Sequence, residues 1–264
     1  MSARRIVLTG ASGGIGRALV RAYAAPGTEF LLIGRNVEAL GAAQQDAEAA
    51  GGSARIAALS VTDRTALPAA LTAFTDLGPV DIFFAAAGVK VGNSDGHEPP
   101  GQSDRVIAVN LGAAIEGVQS LLPPMQKEGA GQIVLFSSVA ALSPTPDMLS
   151  YAATKAGLRA YGTALRRAVY GTGVTVHVVT PGFVDTDMTD RHLGPTPFKT
   201  TATRAARIIK SGLERGRVQI SFPLALVILV RAMNLLPPAL SDRISHRFMA
   251  EIVPDGDEHD QSQG

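Results

Sequence analysis

The sequence contains no cysteine. A disulfide, a thiol nucleophile and a thiolate metal site are therefore excluded, and the lack fits a reducing compartment. An excess of either charge is also missing: 24 Lys and Arg stand against 23 Asp and Glu, a formal charge of +1. That balance provides no basic field for nucleic acid, so no nucleic-acid partner is expected. Long hydrophobic runs are absent as well. The longest runs from Phe222 to Val230 and stops at Arg231, whereas a membrane-spanning helix needs roughly 20 apolar residues. The opening MSARRIVLTG has three strongly apolar residues before its glycine, against roughly 7–15 in a signal peptide. A cytoplasmic chain is expected, soluble or at most lying on a membrane surface. The histidines, at 97, 177, 192, 246 and 259, lack metal-ligand spacing, so no metal is expected. His177 is expected in a sheet and the others at the surface or in loops.

Short β-branched runs do occur, and they alternate with alanine-rich segments. Strands are expected at Arg5–Thr9, Phe30–Ile33, Arg55–Leu59, Ile82–Ala86, Gln132–Ser137 and Thr175–Thr180. Helices are expected at Ile15–Ala25, Val37–Ala50, between the third and fourth strands, at Asp104–Lys127 and at Ser150–Tyr170. The strands are too continuously apolar for a half-exposed sheet. Their alternation with helices predicts an α/β fold with a doubly wound parallel sheet of Rossmann type. At 264 residues with no dividing linker, one domain over residues 1–253 is expected. The polar, acidic Pro254–Gly264 reads as a disordered tail. Two long loops, Gly92–Gln102 and Phe183–Thr200, follow carboxyl ends of expected strands, where such sheets bind ligands.

The first strand–helix junction reads Thr9-Gly10-Ala11-Ser12-Gly13-Gly14-Ile15-Gly16. Glycines allow a tight turn in which backbone N–H groups approach a pyrophosphate, and the helix amino terminus adds partial positive charge. The spacing is Gly-x-x-x-Gly-x-Gly over Gly10, Gly14 and Gly16, not the commoner Gly-x-Gly-x-x-Gly. Arg35 follows the second strand, about twenty residues on, where a dinucleotide fold reads the adenosine ribose. An acid there would bind the 2′-hydroxyl of NAD; an arginine suits the 2′-phosphate of NADP. NADP(H) is the expected cofactor.

Tyr151 and Lys155 are four residues apart in an expected helix and share a face. A nearby ammonium favours the phenolate, and the expectation is a phenol brought down toward the useful acid–base range. Ser137 and Ser138 close a strand thirteen residues before Tyr151; Asn110 lies in the preceding helix; Pro181-Gly182-Phe183-Val184-Asp185-Thr186 follows the next strand. With TGASGGIG, the VN of the middle helix, the SS before YAATK, and PGFVDTDM in order, the sequence resembles the short-chain dehydrogenase/reductase family over roughly its first three quarters.

The resemblance implies roles. Ser138 polarises a substrate carbonyl, Tyr151 exchanges its proton, Lys155 binds the nicotinamide ribose and depresses the tyrosine, and Asn110 holds a water that connects the lysine to solvent. It places Gly10, Ser12, Gly14, Ile15, Gly16, Arg35, Ser60, Val61, Ala87, Gly88, Asn110, Tyr151, Lys155, Pro181, Gly182, Val184 and Thr186 around the cofactor. Ser137 is read as structural. The chain departs from the family's pattern at Ser60-Val61, where an aspartate usually precedes the valine, and at Ala85-Ala86-Ala87-Gly88, where asparagines are usual. Altered cofactor affinity is expected there. It departs most after Arg217, in Phe222–Pro238 and a basic helix candidate at Leu240–Phe248. This tail resembles that of reductases acting on apolar substrates. It is expected to pack on the core or a second subunit, or to form an apolar substrate lip or membrane-surface contact. A homodimer through the helices at 104–127 and 150–170 is implied.

The expected activity is NADPH-dependent interconversion of a carbonyl and an alcohol on an apolar substrate. The alternatives are a non-catalytic NADP(H)-binding regulator and an epimerase or dehydratase acting on a nucleotide sugar. The complete Ser–Tyr–Lys–Asn set favours the first.

Overall fold

The computed structural model describes residues 4–247 and 249–253. The expected disordered tail 254–264, His259 within it, and Phe248 of the expected basic helix lie outside the described residues. Six apolar runs form strands: β1 (Arg4–Thr9), β2 (Thr28–Gly34), β3 (Ser53–Ala58), β4 (Ile82–Ala85), β5 (Gly131–Phe136) and β6 (Val174–Pro181). Between them run α1 (Gly14–Tyr23), α2 (Val37–Ala49), α3 (Ala66–Thr75), α4 (Gln102–Ile107), α5 (Ala113–Glu128) and α6 (Leu149–Ala168). The last part holds the two-residue strands β7 (Val184–Asp185) and β8 (Thr200–Thr201) with α7 (Asp187–Asp190) between them, then α8 (Ala202–Glu214), β9 (Gln219–Phe222), α9 (Leu224–Met233) and α10 (Pro238–His246).

The main sheet is parallel, in the order β3-β2-β1-β4-β5-β6-β9. It is the expected Rossmann-type doubly wound sheet. Successive strand residues point to opposite faces, and both faces are covered. Ile6, Leu8, Phe30 and Phe84 pack with Leu19, Leu40 and Ile209 from α1, α2 and α8. Val7, Leu31, Phe83 and Ile133 pack with Leu71, Leu121 and Leu158 from α3, α5 and α6. His177 sits buried in β6, its ring nitrogens 2.8 Å from the Arg217 carbonyl oxygen and 3.0 Å from Thr175 Oγ1.

Three features differ from the sequence expectation. The single helix expected at 104–127 is divided by a widened π turn, Ala108–Gly112, between α4 and α5. The stretch 102–128 is also long and apolar enough to cross a membrane by length and composition. Its Val106, Val118, Leu121 and Met125 are nonetheless buried, the last three among α3 and the sheet. Finally, the loop expected at 183–200 is partly ordered by β7, α7 and β8.

Candidate active site

The strand order reverses between β1 and β4, and ligands bind outside the carboxyl ends of strands at such a switch point. A cavity of 940 Å³ opens there, reaching from the β1–α1 turn and the end of β2, past the ends of β4, β5 and β6, to α9. Gly10, Ser12, Gly14, Ile15 and Gly16 line one end of it with Arg35, Ser60 and Val61. Ala87, Gly88, Ser138, Tyr151 and Lys155 line the middle, and Pro181, Gly182, Val184 and Thr186 the β6 side. Asn110 alone of the expected site residues does not line it; its side chain lies fully buried behind the wall.

The first end fits a pyrophosphate. Gly10 has φ 73°, and a Cβ there would come within 2.8 Å of the Ala86–Ala87 backbone. At Gly14 a Cβ would meet Thr186 Cγ2 at 2.5 Å. Helix α1 has Gly13 as its N-cap, no capping side chain and no acid in its first turn. Its amino-terminal N–H groups are thus left for an anion. Arg35 is exposed at the rim and is followed by Asn36, whose side chain caps α2 by accepting from Ala39 N at 2.9 Å. Ser60 Oγ is 2.8 Å from Thr62 Oγ1, so that hydroxyl also holds a local turn. Thr9 Oγ1 accepts from Ala87 N and donates to the Phe84 carbonyl, both at 3.3 Å. It thereby braces the backbone where family members carry asparagine.

The other end is built around α6. Tyr151 lies in the first turn and is buried, as is Lys155 one turn later. Lys155 Nζ donates to the Phe136 carbonyl at 3.0 Å and lies 5.7 Å from the Tyr151 ring centroid. Burial pushes the ammonium down to about 8. The Tyr151 phenol is pushed up by burial, against a smaller lowering from its hydrogen bond with Ser138. This reverses the expectation of a depressed phenol: among the chain's own groups, desolvation outweighs the favourable contacts. Ser137 borders the cavity too, but its Oγ donates to the Lys155 carbonyl at 2.8 Å, the structural role expected of it. Asn110 sits in the π turn. Its Nδ2 donates to the Val89 carbonyl at 2.9 Å and its Oδ1 accepts from Val89 N at 2.7 Å.

Several residues that shape the site have no signal in the sequence. Glu98 caps α6, accepting from Ser150 N and Ser150 Oγ, each at 2.7 Å. Lys90 and His192 are buried and line the cavity, and Phe183 lines it between them. Their signal is purely spatial, since Lys90 and His192 are separated by about a hundred positions. His192 corrects the expectation of a surface or loop histidine in part: it is in a loop but buried, and burial holds its imidazole down at about 4. At the α9 end, Leu226, Leu229, Val230 and Met233 close the cavity.

A parallel sheet that switches direction over a glycine turn, with a buried tyrosine and lysine further along the same cavity, is the layout of a nicotinamide-dependent oxidoreductase. Sequence comparison narrows that class. The short chain dehydrogenase family model matches residues 4–194, and the chain belongs to this family. An uncharacterized oxidoreductase of Myxococcus xanthus is 32% identical over 250 residues, covering 94% of this chain and 98% of the relative. The ketoacyl reductase HetN of Nostoc is 30% identical over 258 residues, covering 94% and 90%. Among solved structures, a short chain dehydrogenase/reductase from Burkholderia phymatum in complex with NAD superposes with a TM-score of 0.81 at 24% identity, covering 88% of this chain and 93% of that one. A Sphingobium yanoikuyae short-chain dehydrogenase in complex with NADPH gives 0.77 at 22%, covering 89% and 97%. At such identities the two structures speak for the fold.

Proposed function

We propose that this oxidoreductase is NADP(H)-dependent and interconverts a carbonyl and an alcohol on an apolar substrate. The observation that carries this reading is that Ser138, Tyr151 and Lys155 line the same cavity as the glycine turn and Arg35. The amino terminus of α1 holds the pyrophosphate, Arg35 the 2′-phosphate, and Ser60 and Val61 the adenine. Ala87 and Gly88 flank the ribose that Lys155 Nζ binds, and Pro181, Gly182, Val184 and Thr186 hold the carboxamide. When bound, the nicotinamide supplies or accepts a hydride. Tyr151 Oη gives its proton to the carbonyl oxygen in reduction and takes it back in oxidation. Ser138 Oγ donates to the same oxygen, and its hydrogen bond with Tyr151 opposes the upward push that burial exerts on the phenol.

An apolar substrate is supported by the α9 wall. Leu226 and Val227 face inward, whereas Leu224 and Ile228 on the same helix are exposed. With exposed Leu235 and Leu240 and the nearby Arg231, Arg243 and Arg247, this outer face suits a membrane-surface contact. A homodimer is supported by the outer face of α6, where Ala153, Ala156, Ala160 and Ala164 are exposed at helical spacing and permit close approach. The cytoplasm, where NADPH is held reduced, is the compartment that suits this reading.

The test is turnover of NADPH and NADH with a long-chain ketone and a short polar one. Tyr151→Phe keeps the ring and removes the proton donor, a contribution on the order of 10²–10⁴ in rate. It should bind NADPH as the parent does and lose that much turnover. Parent-like turnover by the variant would refute Tyr151 as the acid.

A further inference from the structure

The substrate end of the cavity contains a buried cation that the proposed chemistry does not use. Lys90 follows β4 by five residues and is nine-tenths buried, yet it lines the cavity. The backbone that carries it is fixed on both sides. Val89 is held by both ends of the Asn110 amide, and Asn93 N donates to the Asp147 carbonyl at 3.0 Å. The Lys90 ammonium lies 5.4 Å from the centre of the Phe183 ring, whose other neighbour is the His192 ring, 5.3 Å away. Phe183, His192 and Lys90 therefore make one wall. They belong to the segments after β4 and β6, on the Tyr151 side of the sheet and away from the glycine turn over β1.

A buried ammonium requires a counter-charge or hydrogen-bond acceptors. Asp147 is the nearby carboxylate, but it acts on Lys90 through space and not through a hydrogen bond. Its Oδ2 accepts from Ala250 N at 3.1 Å, and it does not line the cavity. Burial, against the Asp147 carboxylate and with a smaller contribution from the Arg191 charge, leaves Lys90 at about 8. At neutral pH the group is therefore still mostly charged. Two more polar atoms of cavity-lining residues, Thr145 Oγ1 and His192 Nδ1, have no hydrogen-bond partner among the described residues. The α9 part of the lining, Leu226, Leu229 and Met233, is apolar.

We propose that Lys90 is the anion-recognising residue of the substrate site, and that the substrate is an amphiphilic oxo acid: a carboxylate seated on Lys90, an apolar body along α9, and the reacting carbonyl at Tyr151. The proposal deepens the apolar-substrate reading and rests on it for the position of the carbonyl. A carboxylate is the fitting anion, because the Asp147 and Arg191 charges act on Lys90 in opposite directions and leave its point-charge ammonium to balance one negative charge. The Phe183 ring, 5.4 Å from the ammonium, and the burial of Lys90 keep water from the pair, which strengthens the attraction.

The experiment uses binding without turnover, so it stands apart from the Tyr151 test. Calorimetry at pH 7 with NADPH present compares decanoate with methyl decanoate, which share the chain and differ in charge. The parent protein is expected to bind decanoate at least tenfold more tightly. Lys90→Met should remove that preference while leaving methyl decanoate unchanged, and Lys90→Arg should retain part of it. Thermal unfolding of each variant establishes that it is folded. Equal binding of acid and ester by the parent, or a preference that survives Lys90→Met, overturns the proposal. If the acid preference holds and Tyr151→Phe turns over ketones at the parent rate, the anion site stands and the acid–base assignment fails.

Discussion

Asn110 and Val89 exchange two hydrogen bonds, side-chain amide to backbone N–H at 2.7 Å and to backbone carbonyl at 2.9 Å. The widened π turn at Ala108–Gly112 carries Asn110, and such turns recur at functional positions. The amide replaces a strand partner for chain that has run off the end of β4, so Asn110 positions Gly88, Val89 and Lys90 from behind. A buried N–H or carbonyl left without a partner costs about 1–3 kcal/mol. Asn110→Ala leaves both groups of Val89 without that partner, and because Val89 is half-buried the loss should lie toward the low end, roughly 2–4 kcal/mol in all, read as an earlier denaturant midpoint. It should also weaken NADPH binding through displaced Gly88. An unchanged midpoint would show that the exchange is incidental.

Arg35 decides cofactor choice in the proposed reading. It lines the adenosine end of the cavity next to Asn36, and its neighbour Glu38 lies in the first turn of α2. A charge-assisted contact to a phosphate is stronger than a neutral one. NADPH should bind at least tenfold more tightly than NADH, and Arg35→Asp should narrow or reverse that ratio. Equal dissociation constants in the parent would remove Arg35 from this role.

Lys90 and Lys155 both sit at about 8, below the ordinary 10.5. Burial is the larger cause for Lys90, ahead of Asp147 and Arg191, and the cause for Lys155. A folded-state value below the unfolded one means that the unfolded chain binds more protons between the two. Stability therefore rises with pH across about 8 to 10.5, and the penalty is fully present below 8. A fall from 10.5 to about 8 for Lys90 corresponds to roughly 3 kcal/mol. Lys90→Met should be more stable than the parent at pH 7, and that advantage should shrink by pH 10. An advantage independent of pH would mean that Lys90 is not held against its charge.

The parts of this protein that repeat along the chain were readable from sequence. Apolar runs at Ile6–Leu8 and Ile133–Phe136 mark buried parallel strands, and the glycine turn and the Tyr151–Lys155 spacing mark the cavity. Helix α8 is legible in the same way: Ala205, Ala206, Ile209 and Leu213 recur at helical spacing after the capping Thr201. Other features depend on distance through space. Nothing in the sequence near Ser150 indicates that Glu98 caps its helix, because the contact joins residues 52 positions apart. The direction of the Tyr151 shift is not legible along the chain for a related reason. Spacing reveals the nearby lysine, whereas the opposing desolvation depends on how completely the fold encloses the phenol.

The α9 wall provides the last prediction. Leu226 is buried and packs over Gly182, where a Cβ would come within 2.7 Å of Leu226 Cδ2. Replacing it with serine would mix loss of substrate contact with loss of core packing, about 2–5 kcal/mol for a large-to-small core change. Leu229 separates the two effects: it lines the cavity but is 48% exposed, so little of the fold depends on it. Covering an exposed leucine fully is worth roughly 1.5–3 kcal/mol, and a half-exposed one about half of that. Leu229→Ser should therefore raise KM for a long-chain ketone by about three- to tenfold. It should leave the thermal midpoint and the KM for a short polar ketone unchanged. Asn234, whose amide donates to the Leu142 carbonyl, ties the end of α9 to the loop after β5, so the wall is held in place when the leucine is shortened. Equal loss on both ketones would assign α9 to folding, and no loss on either would remove it from the substrate site.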